Sequence, residues 1–222
     1  MVMFPDALPS RGGRRLLLKG LVAALALGAS SSLALAQNTK VPVEDLMAPE
    51  ALPDIVQGKA EAPVTIIEYA SMTCTHCAAF HAGTYPSLVK NYIDTGKVKF
   101  ILREFPLDPL ATAGFMLARC EGPDKRTAVV DLLFSQQKNW AFIDKPLDGL
   151  QTVLKVTGLS QQSFEACLKD QKLFDQIMEI RDRGSQKFGV NATPTFYING
   201  LKVSGEQTPE SIAKVIDPLL PK

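Results

Sequence analysis

Histidine and net charge are both scarce in this chain of 222 residues. Lys and Arg together number 24 and Asp and Glu 23, so the formal net charge is only +1. A near-neutral chain lacks the broad basic surface of nucleic-acid-binding proteins, so we expect no nucleic-acid partner. Two histidines, His76 and His81, cannot form a histidine-rich metal site. Any histidine chemistry must therefore lie near residue 76.

The composition also excludes a disordered or fibrous chain, because 46% of the residues are hydrophobic and 21% are charged. After residue 36 the sequence contains neither an internal repeat nor a low-complexity tract. The length suits one or two ordinary domains that bury a real core.

The first 36 residues follow the order of a secretory signal peptide. An apolar run over 21–27 precedes small residues that lead to Ala36, and basic residues come before the run: Arg11, Arg14, Arg15 and Lys19. The Arg14-Arg15 pair also resembles a twin-arginine signal, which a receptor reads. Cleavage after Ala36 predicts export, with an uncleaved amino-terminal anchor as the alternative. In an oxidising compartment, four cysteines favour disulfides over thiols or zinc.

The remaining chain divides by pattern into four parts. Prolines recur without periodicity over 37–62, so we expect an extended arm there. Residues 63–105 carry the first strands. Helical spacing dominates 106–183, which has no strand-like run and predicts an all-helical insertion. Residues 184–222 return to a strand signal, with a hairpin that turns at Asn199-Gly200 and then a last helix.

Residues 63–105 have a strand, helix, strand pattern. A β-branched run predicts a buried strand at 64–70, apolar spacing predicts a helix from Cys77, and a second strand is predicted at 97–105. A glycine and a proline inside that helix predict a kink or a break. Such a βαβ unit indicates a parallel strand pair and therefore an α/β sheet.

Two cysteines stand where the first strand turns into the helix, in the segment Cys74-Thr75-His76-Cys77. One helical turn brings both sulfur atoms to the same end of the helix, with Cys74 at its N-terminus. Unpaired backbone N–H groups and the helix dipole there lower the pKa of the Cys74 thiol, so a disulfide at this pair should readily oxidise other proteins. His76 can add a hydrogen bond or positive charge to the Cys74 sulfur, or it is an exposed polar residue.

Together these features resemble the DsbA family of periplasmic thiol:disulfide oxidoreductases over about residues 60–220. The features that match are the strand before CTHC, Phe80, the helical insertion, and Ala192-Thr193-Pro194-Thr195 before a strand and hairpin. The resemblance implies an α/β, thioredoxin-like fold with an inserted all-helical subdomain. It also implies a periplasmic location, and no metal or bound organic cofactor.

The resemblance implies roles for residues outside the cysteine pair. Pro194 would be cis and lie against the cysteines, with Thr193 presenting its backbone to a substrate peptide. Glu68 stands where the family has an acidic residue beneath the active site, which implies a buried carboxylate with a raised pKa that relays a proton to Cys77. A partly exposed strand-end glutamate is the alternative. His81 has no assigned role, and we expect it to be solvated.

One branch of the family has a second disulfide, which here would join Cys120 and Cys167. It would close a loop of about 48 residues and stabilise the fold by roughly 4 kcal/mol. The alternative is two small, buried apolar side chains. A four-cysteine zinc site is disfavoured because this second pair lacks the close spacing of zinc ligands.

The predicted function is a thiol:disulfide oxidoreductase that introduces disulfides into unfolded or reduced exported proteins by exchange at Cys74 and Cys77. The resemblance implies reoxidation by a membrane partner of the DsbB type. We expect a monomer, because the short arm is not a dimerisation domain. Thr193 before the proline resembles the disulfide isomerases, so an isomerase or reductase is one alternative. A noncatalytic metal-binding or chaperone module with Cys74, His76 and Cys77 as ligands is the other.

Overall fold

The computed structural model describes residues 40–221. The predicted signal peptide, residues 1–36, lies outside the described residues. Among the residues described, no helix is both long and apolar enough to cross a lipid bilayer.

Within residues 40–221, five strands form one mixed sheet in the order β1-β3-β2-β4-β5. The strands are β1 (Val56–Gln57), β2 (Val64–Ala70), β3 (Val98–Glu104), β4 (Thr195–Ile198) and β5 (Leu201–Ser204). β2 runs parallel to β3 and antiparallel to β4. The predicted parallel pair and the α/β class are therefore confirmed, and β4 and β5 form the predicted hairpin.

Eight α-helices accompany the sheet in the described part of the chain. They are α1 (Val43–Leu46), α2 (Thr75–Leu88), α3 (Pro109–Cys120), α4 (Pro123–Ser135), α5 (Pro146–Leu154), α6 (Gln161–Leu168), α7 (Gln171–Phe188) and α8 (Pro209–Ile216). Side chains that accept hydrogen bonds from the first turn set several of the starts: Asp108 for α3, Ser160 for α6, Asp170 for α7 and Thr208 for α8.

Helix α2 is continuous where the sequence predicts a kink or break at Gly83 and Pro86. The change comes just after the proline, where Val89–Ile93 form a π-helix. Pro86 has no N–H group to donate, so the regular hydrogen-bond ladder is already interrupted in this last turn. The proline therefore alters the hydrogen-bonding pattern and leaves the helix whole through Leu88.

The segment expected to be an extended arm has more structure than its composition predicts. It contains α1 and the two-residue edge strand β1, which pairs antiparallel with β3. Arg183 donates hydrogen bonds to the carbonyl oxygens of Asp45, Ala48 and Pro49. Because these contacts are made with distant side chains, local periodicity could not reveal them.

The sheet carries a hydrophobic core on each face. β2 is buried along its whole length, and its alternating side chains divide between the two cores. Ile66 and Ala70 enter the larger core with Cys77 and Phe80, whereas Tyr69 enters the smaller one. Glu68 has the same parity as Ile66 and Ala70, so its side chain lies on the face that holds the cysteine pair.

The helical insertion shares the larger core with the sheet. Phe115 and Trp140 from the insertion are fully buried in the same cluster as Ile66 and Phe196. The predicted boundary between 183 and 184 falls inside α7, which runs without a break to Phe188. Gly184 lies against the ring of Tyr69, where an added Cβ would come within 2.8 Å of Cε1. Helix α7 therefore begins in the predicted insertion and packs its C-terminal part against the sheet.

Candidate active site

Cys74 caps the N-terminus of α2. Its backbone is extended, and its sulfur accepts a hydrogen bond from the backbone N–H of Cys77 at 3.4 Å. The residue is 9% exposed, whereas Cys77 is fully buried. Both cysteines are present as separate thiols. The arrangement leaves Cys74 as the sulfur of the pair that another molecule can approach.

The loop before β4 meets this cysteine. The peptide bond between Thr193 and Pro194 is cis, as the family resemblance implies. The Cys74 thiol donates a hydrogen bond to the carbonyl oxygen of Thr193 at 3.3 Å, across 119 residues of chain. The hydroxyl Oγ1 of Thr193 is buried without a hydrogen-bond partner among the described residues.

The two thiols have opposite acid–base behaviour. The Cys77 thiol, together with Thr193 and the backbone N–H groups of residues 76 and 77, stabilises negative charge on the Cys74 sulfur. Burial of Cys74 acts in the opposite direction, and the net result is a pKa of about 6 for Cys74. Burial raises the pKa of Cys77 well above its ordinary value, and the Cys74 thiol and the Glu68 carboxylate raise it further. At neutral pH one sulfur is therefore a thiolate and the other a protonated thiol.

His76 lies outside this sulfur environment. Its side chain is 65% exposed, and Nδ1 lies 3.5 Å from Oε2 of Glu206, which is itself 60% exposed. Within the described chain, the Cys74 sulfur accepts a hydrogen bond from the backbone N–H of Cys77 and donates one to the backbone carbonyl of Thr193, and the His76 ring makes neither. The structure therefore matches the alternative of an exposed polar residue in the first turn of α2.

Glu68 is fully buried on β2, so the alternative of a partly exposed glutamate is wrong. Its Oε2 lies 3.0 Å from Nε2 of His81, and the other ring nitrogen of His81 lies 3.2 Å from Oδ1 of Asp131. His81 is 8% exposed, so the expectation of a solvated histidine is also wrong. His81 follows Cys77 by four residues, which places the two side chains on the same face of α2. This spacing is visible in the sequence and could have linked His81 to the site.

Gln137 is a site residue that sequence reasoning did not identify. It follows α4 and is buried, and its Nε2 donates to the carbonyl oxygens of Met72 at 2.8 Å and Cys74 at 3.0 Å. These two bonds hold the turn between β2 and α2 from the side of the helical insertion. The sequence carries no local signal for them, because Gln137 is 63 residues away from Cys74.

The other two cysteines form a disulfide with each other. Cys120 at the end of α3 is bonded to Cys167 in α6. Among the described residues, no group of three or more His, Cys, Asp or Glu side chains is placed to hold a metal ion.

Sequence comparisons identify relatives of known family. A family model described as thioredoxin matches residues 50–218. A relative from Rickettsia conorii, provisionally named a protein-disulfide oxidoreductase, is 30% identical over 168 residues that cover 75% of this chain and 60% of the relative. Disulfide bond formation protein D of Bacillus subtilis is 26% identical over 73% of this chain and 75% of that protein. This chain thus spans about 60% of the length of the Rickettsia relative.

Structural comparison agrees with the sequence matches. The crystal structure of alpha-DsbA1 from Wolbachia pipientis superposes with a TM-score of 0.73 at 33% identity, over 79% of this chain and 94% of that one. The match confirms the thioredoxin-like fold that the sequence predicts. Taken with the family model, it shows that this chain belongs to the thioredoxin family, among its DsbA proteins.

Proposed function

We propose that this protein is a thiol:disulfide oxidoreductase that introduces disulfides into exported proteins by exchange at Cys74 and Cys77. The observation that carries the proposal is the contrast between the two sulfurs. Cys74 is partly accessible with a pKa of about 6, whereas Cys77 is buried with a raised pKa. A stabilised Cys74 thiolate is a good leaving group, which makes the disulfide form a ready oxidant.

The reaction takes two exchange steps. A substrate thiolate attacks Cys74, a mixed disulfide forms, and Cys77 leaves as a thiol after taking up a proton. A second thiolate of the substrate then attacks the substrate sulfur of the mixed disulfide. The substrate leaves with a new disulfide, and the enzyme retains the Cys74 thiolate and the Cys77 thiol.

The loop at Thr193 and Pro194 supplies a surface for the substrate backbone. The Thr193 carbonyl lies 3.3 Å from the Cys74 sulfur, so a peptide that approaches this sulfur must also meet the loop. Backbone pairing of this kind accepts many sequences, because it reads main-chain atoms and not side chains. A general oxidase of unfolded proteins needs that tolerance.

We place the reaction in the periplasm, with reoxidation by a membrane partner of the DsbB type and the protein acting as a monomer. The signal-peptide pattern of residues 1–36 supports export, and the resemblance to the DsbA family implies the partner. The contacts of Arg183 with the segment before β1 support the monomer, because they engage that segment within its own chain.

An isomerase or reductase on the same fold is the second candidate, and Thr193 is the residue that favours it. Its hydroxyl Oγ1 is buried, and Thr193 is among the groups that lower the pKa of Cys74, so the polarity of this side chain acts on the stability of the thiolate. The metal-binding alternative has less support. The His76 ring faces Glu206 in solvent, and Cys77 is fully buried.

The test is to mix the disulfide form of the full chain with a reduced peptide that contains two cysteines and to follow both by mass spectrometry. We expect one peptide disulfide for each Cys74–Cys77 disulfide lost. Cys74→Ser should abolish the reaction. Cys77→Ser, which cannot form the disulfide, should instead be mixed with oxidised glutathione, and it should accumulate a mixed disulfide with glutathione at Cys74.

Equilibration in glutathione buffers separates the two candidates. A reduction potential for this pair near −120 mV, about that of the strongest oxidants, supports the oxidase, whereas one near −270 mV, about that of thioredoxin, supports a reductase or isomerase. Failure of the disulfide form to oxidise the peptide at all would contradict the proposal.

A further inference from the structure

A line of three ionisable side chains runs from beneath the cysteine pair to the surface. Glu68 on β2 is fully buried, His81 on α2 is nearly so, and the side chain of Asp131 on α4 is 43% exposed. The Glu68 carboxylate is 3.0 Å from one nitrogen of His81, and Asp131 is 3.2 Å from the other. Each neighbour in the line is within hydrogen-bonding distance of the next.

The inner end of the line faces Cys77. Cys77 and His81 lie on the same face of α2, and Glu68 lies on the face of β2 that packs against this helix. Glu68 has one oxygen, Oε1, that is buried with no hydrogen-bond partner among the described residues. Its carboxylate is close enough to add to the raised pKa of Cys77. A carboxylate therefore lies near the sulfur that must gain and lose a proton, with no direct hydrogen bond between the two in the described part of the chain.

The outer end of the line opens into a surface cleft of about 590 Å³, which has both His81 and Asp131 in its lining. Tyr85 and Lys90 also line this cleft. Phe134 stacks on the His81 ring with centroids 4.4 Å apart and so fixes the orientation of the imidazole. The ring can thus exchange a proton with water at Asp131 without leaving its place beside Glu68.

The electrostatic environment keeps His81 protonated at neutral pH. Burial opposes the charge, but the Glu68 and Asp131 carboxylates outweigh it and raise the pKa of His81 to about 9. The side chains around the ring are Glu68 from β2, Asp131 and Phe134 from α4, and Phe80 and Tyr85 from α2 itself.

We propose that His81 and Asp131 form the outer half of a proton route that carries the Cys77 proton between Glu68 and solvent. The proposal rests on the proposed function, since it concerns the sulfur that closes the disulfide. It differs from a relay by Glu68 alone, because a fully buried carboxylate has no contact with water through which to exchange its proton.

The step can be written for closure of the disulfide with oxidised glutathione as the oxidant. After Cys74 has formed a mixed disulfide with glutathione, the Cys77 sulfur attacks the Cys74 sulfur. The bond to glutathione breaks, and its electron pair leaves on the glutathione sulfur, which takes a proton from water. The Cys77 proton moves to Oε1 of Glu68, and His81 releases its Nδ1 proton toward Asp131 and the cleft. The buried Glu68–His81 pair has no net charge before or after the step.

The experiment is a rapid-quench measurement on the reduced full chain mixed with excess oxidised glutathione. Acid quenching and mass spectrometry resolve the mixed disulfide at Cys74 from the closed Cys74–Cys77 disulfide. The first rate depends on glutathione concentration and the second does not. Formation of the mixed disulfide is an internal control, because attack by the Cys74 thiolate needs no proton route.

We expect His81→Gln to slow closure by about a hundredfold and Asp131→Asn by about tenfold, since water in the cleft replaces Asp131 more easily than the buried ring. Glutamine keeps a hydrogen bond to Glu68 but cannot carry the proton, so a purely structural role would leave the rate nearly unchanged. The matched control is Asp124→Asn, an exposed carboxylate on the same helix α4. It should leave both rates unchanged.

Two further readouts report on proton transfer itself. The solvent deuterium isotope effect on closure should be larger in Asp131→Asn than in the unaltered protein. Added imidazole should accelerate closure of Asp131→Asn, because the cleft is open to small solutes, and should not accelerate the unaltered protein. Equal closure rates in both variants and the unaltered protein would overturn the proposal, as would an equal loss in Asp124→Asn.

The outcome is separable from that of the proposed function. If the unaltered protein closes its own disulfide with glutathione but fails to oxidise peptide thiols, the oxidase proposal fails and the proton route is still tested. If it oxidises peptides while His81→Gln closes at the unaltered rate, the oxidase proposal stands and the route is wrong.

Discussion

At the scale of single residues, the site depends on a difference between two chemically identical side chains. Cys74 occupies the cap of α2, where backbone N–H groups and Cys77 favour its negative charge. Cys77 is one turn further into the same helix, where burial disfavours charge. A separation of three residues at the start of α2 therefore makes Cys74 the sulfur that other molecules can reach and Cys77 the buried sulfur that closes the disulfide.

The first prediction concerns the Cys74 thiol. Its rate of alkylation by iodoacetamide in the reduced protein should rise with pH through a midpoint of about 6, while Cys77 should stay unmodified. Peptide mass spectrometry at a series of pH values provides the measurement. In Cys77→Ser the midpoint should move upward, because the Cys77 thiol makes the largest contribution to the lowered pKa. A midpoint for Cys74 near 8.5, about that of an ordinary thiol, would contradict the prediction.

The second prediction concerns His81 and the pH dependence of stability. Its pKa is raised in the folded state to about 9, so its stabilising contribution is complete below about 6.5 and is lost as the pH rises through 9. We expect the free energy of unfolding in urea to fall across this interval by at most about 3 kcal/mol. The disulfide form should be used so that the active-site thiols do not titrate. His81→Gln should flatten the profile, and an unchanged slope in that variant would refute the assignment.

The sequence alone identifies part of this site. Cys74 and Cys77 follow from a short motif at a strand-to-helix junction, whereas Pro194 and Glu68 follow from the resemblance to the DsbA family. His81 carries a weaker signal, since only its spacing from Cys77 links it to the site. Asp131 and Gln137 carry none, because their partners are 50 and 63 residues or more away and depend on how α4 packs on α2.

At the scale of elements, a buried carboxylate joins the sheet to the helical insertion. Glu104 ends β3 and is fully buried between Arg119 of α3 and Arg126 of α4, at 2.7 and 2.6 Å. Burial opposes its charge, but the two guanidinium groups outweigh burial and lower the pKa of Glu104 to about 2. Arg126 also donates to the carbonyl oxygen of Leu102 in β3. Two helices are thereby fixed to the end of one strand.

The third prediction is that Glu104→Gln lowers the free energy of unfolding by about 3 to 5 kcal/mol at neutral pH, because it leaves the buried Arg126 and the largely buried Arg119 without their counterion. Urea unfolding followed by circular dichroism provides the measurement. The contribution of Glu104 is present above pH 4.5, its ordinary pKa, and is lost as the pH falls through about 2. Glu165→Gln, at an exposed pair with Lys169, should cost less than about 1 kcal/mol. Equal losses in the two variants would contradict the prediction.

Elements with strong local patterns are predictable from this sequence. The hairpin strands Thr195–Ile198 and Leu201–Ser204 lie where the alternation and the Asn199-Gly200 turn place them. The strand β1 was not predictable, because two residues are too few for any periodicity. It exists because Val56 and Gln57 pair with Ile101 and Phe100 of β3.

At the scale of the whole molecule, the Cys120–Cys167 disulfide joins two helices of the insertion across 47 residues of chain. A disulfide restricts the unfolded chain more strongly when it closes a longer loop, and the loop between Cys120 and Cys167 is long. The bridge involves neither Cys74 nor Cys77. A cross-link of this kind raises stability without a direct part in exchange.

The fourth prediction follows from that separation. The double variant Cys120→Ala/Cys167→Ala should lose about 4 kcal/mol of unfolding free energy. Its rate of peptide oxidation, measured under conditions where it is folded, should match that of the unaltered protein. Retention of full stability would show that the bridge does not form in solution, and loss of exchange in the folded variant would show that the two pairs are coupled.

The short outer strands of the sheet affect how long an unfolded substrate chain could stay bound to the proposed oxidase. An extended segment of an unfolded chain can pair with the unpaired backbone groups of an exposed edge strand, and aggregation can begin with this pairing. Here one border is the two residues of β1, and at the other border Lys40 bridges to Leu201 at the start of β5. The edge strands are thus too short to pair stably with an added strand. We therefore expect a bound chain to be held chiefly by its disulfide bond to Cys74. Release of a bound chain then depends on thiol–disulfide exchange and not on the separation of paired strands, as the proposed oxidase function requires.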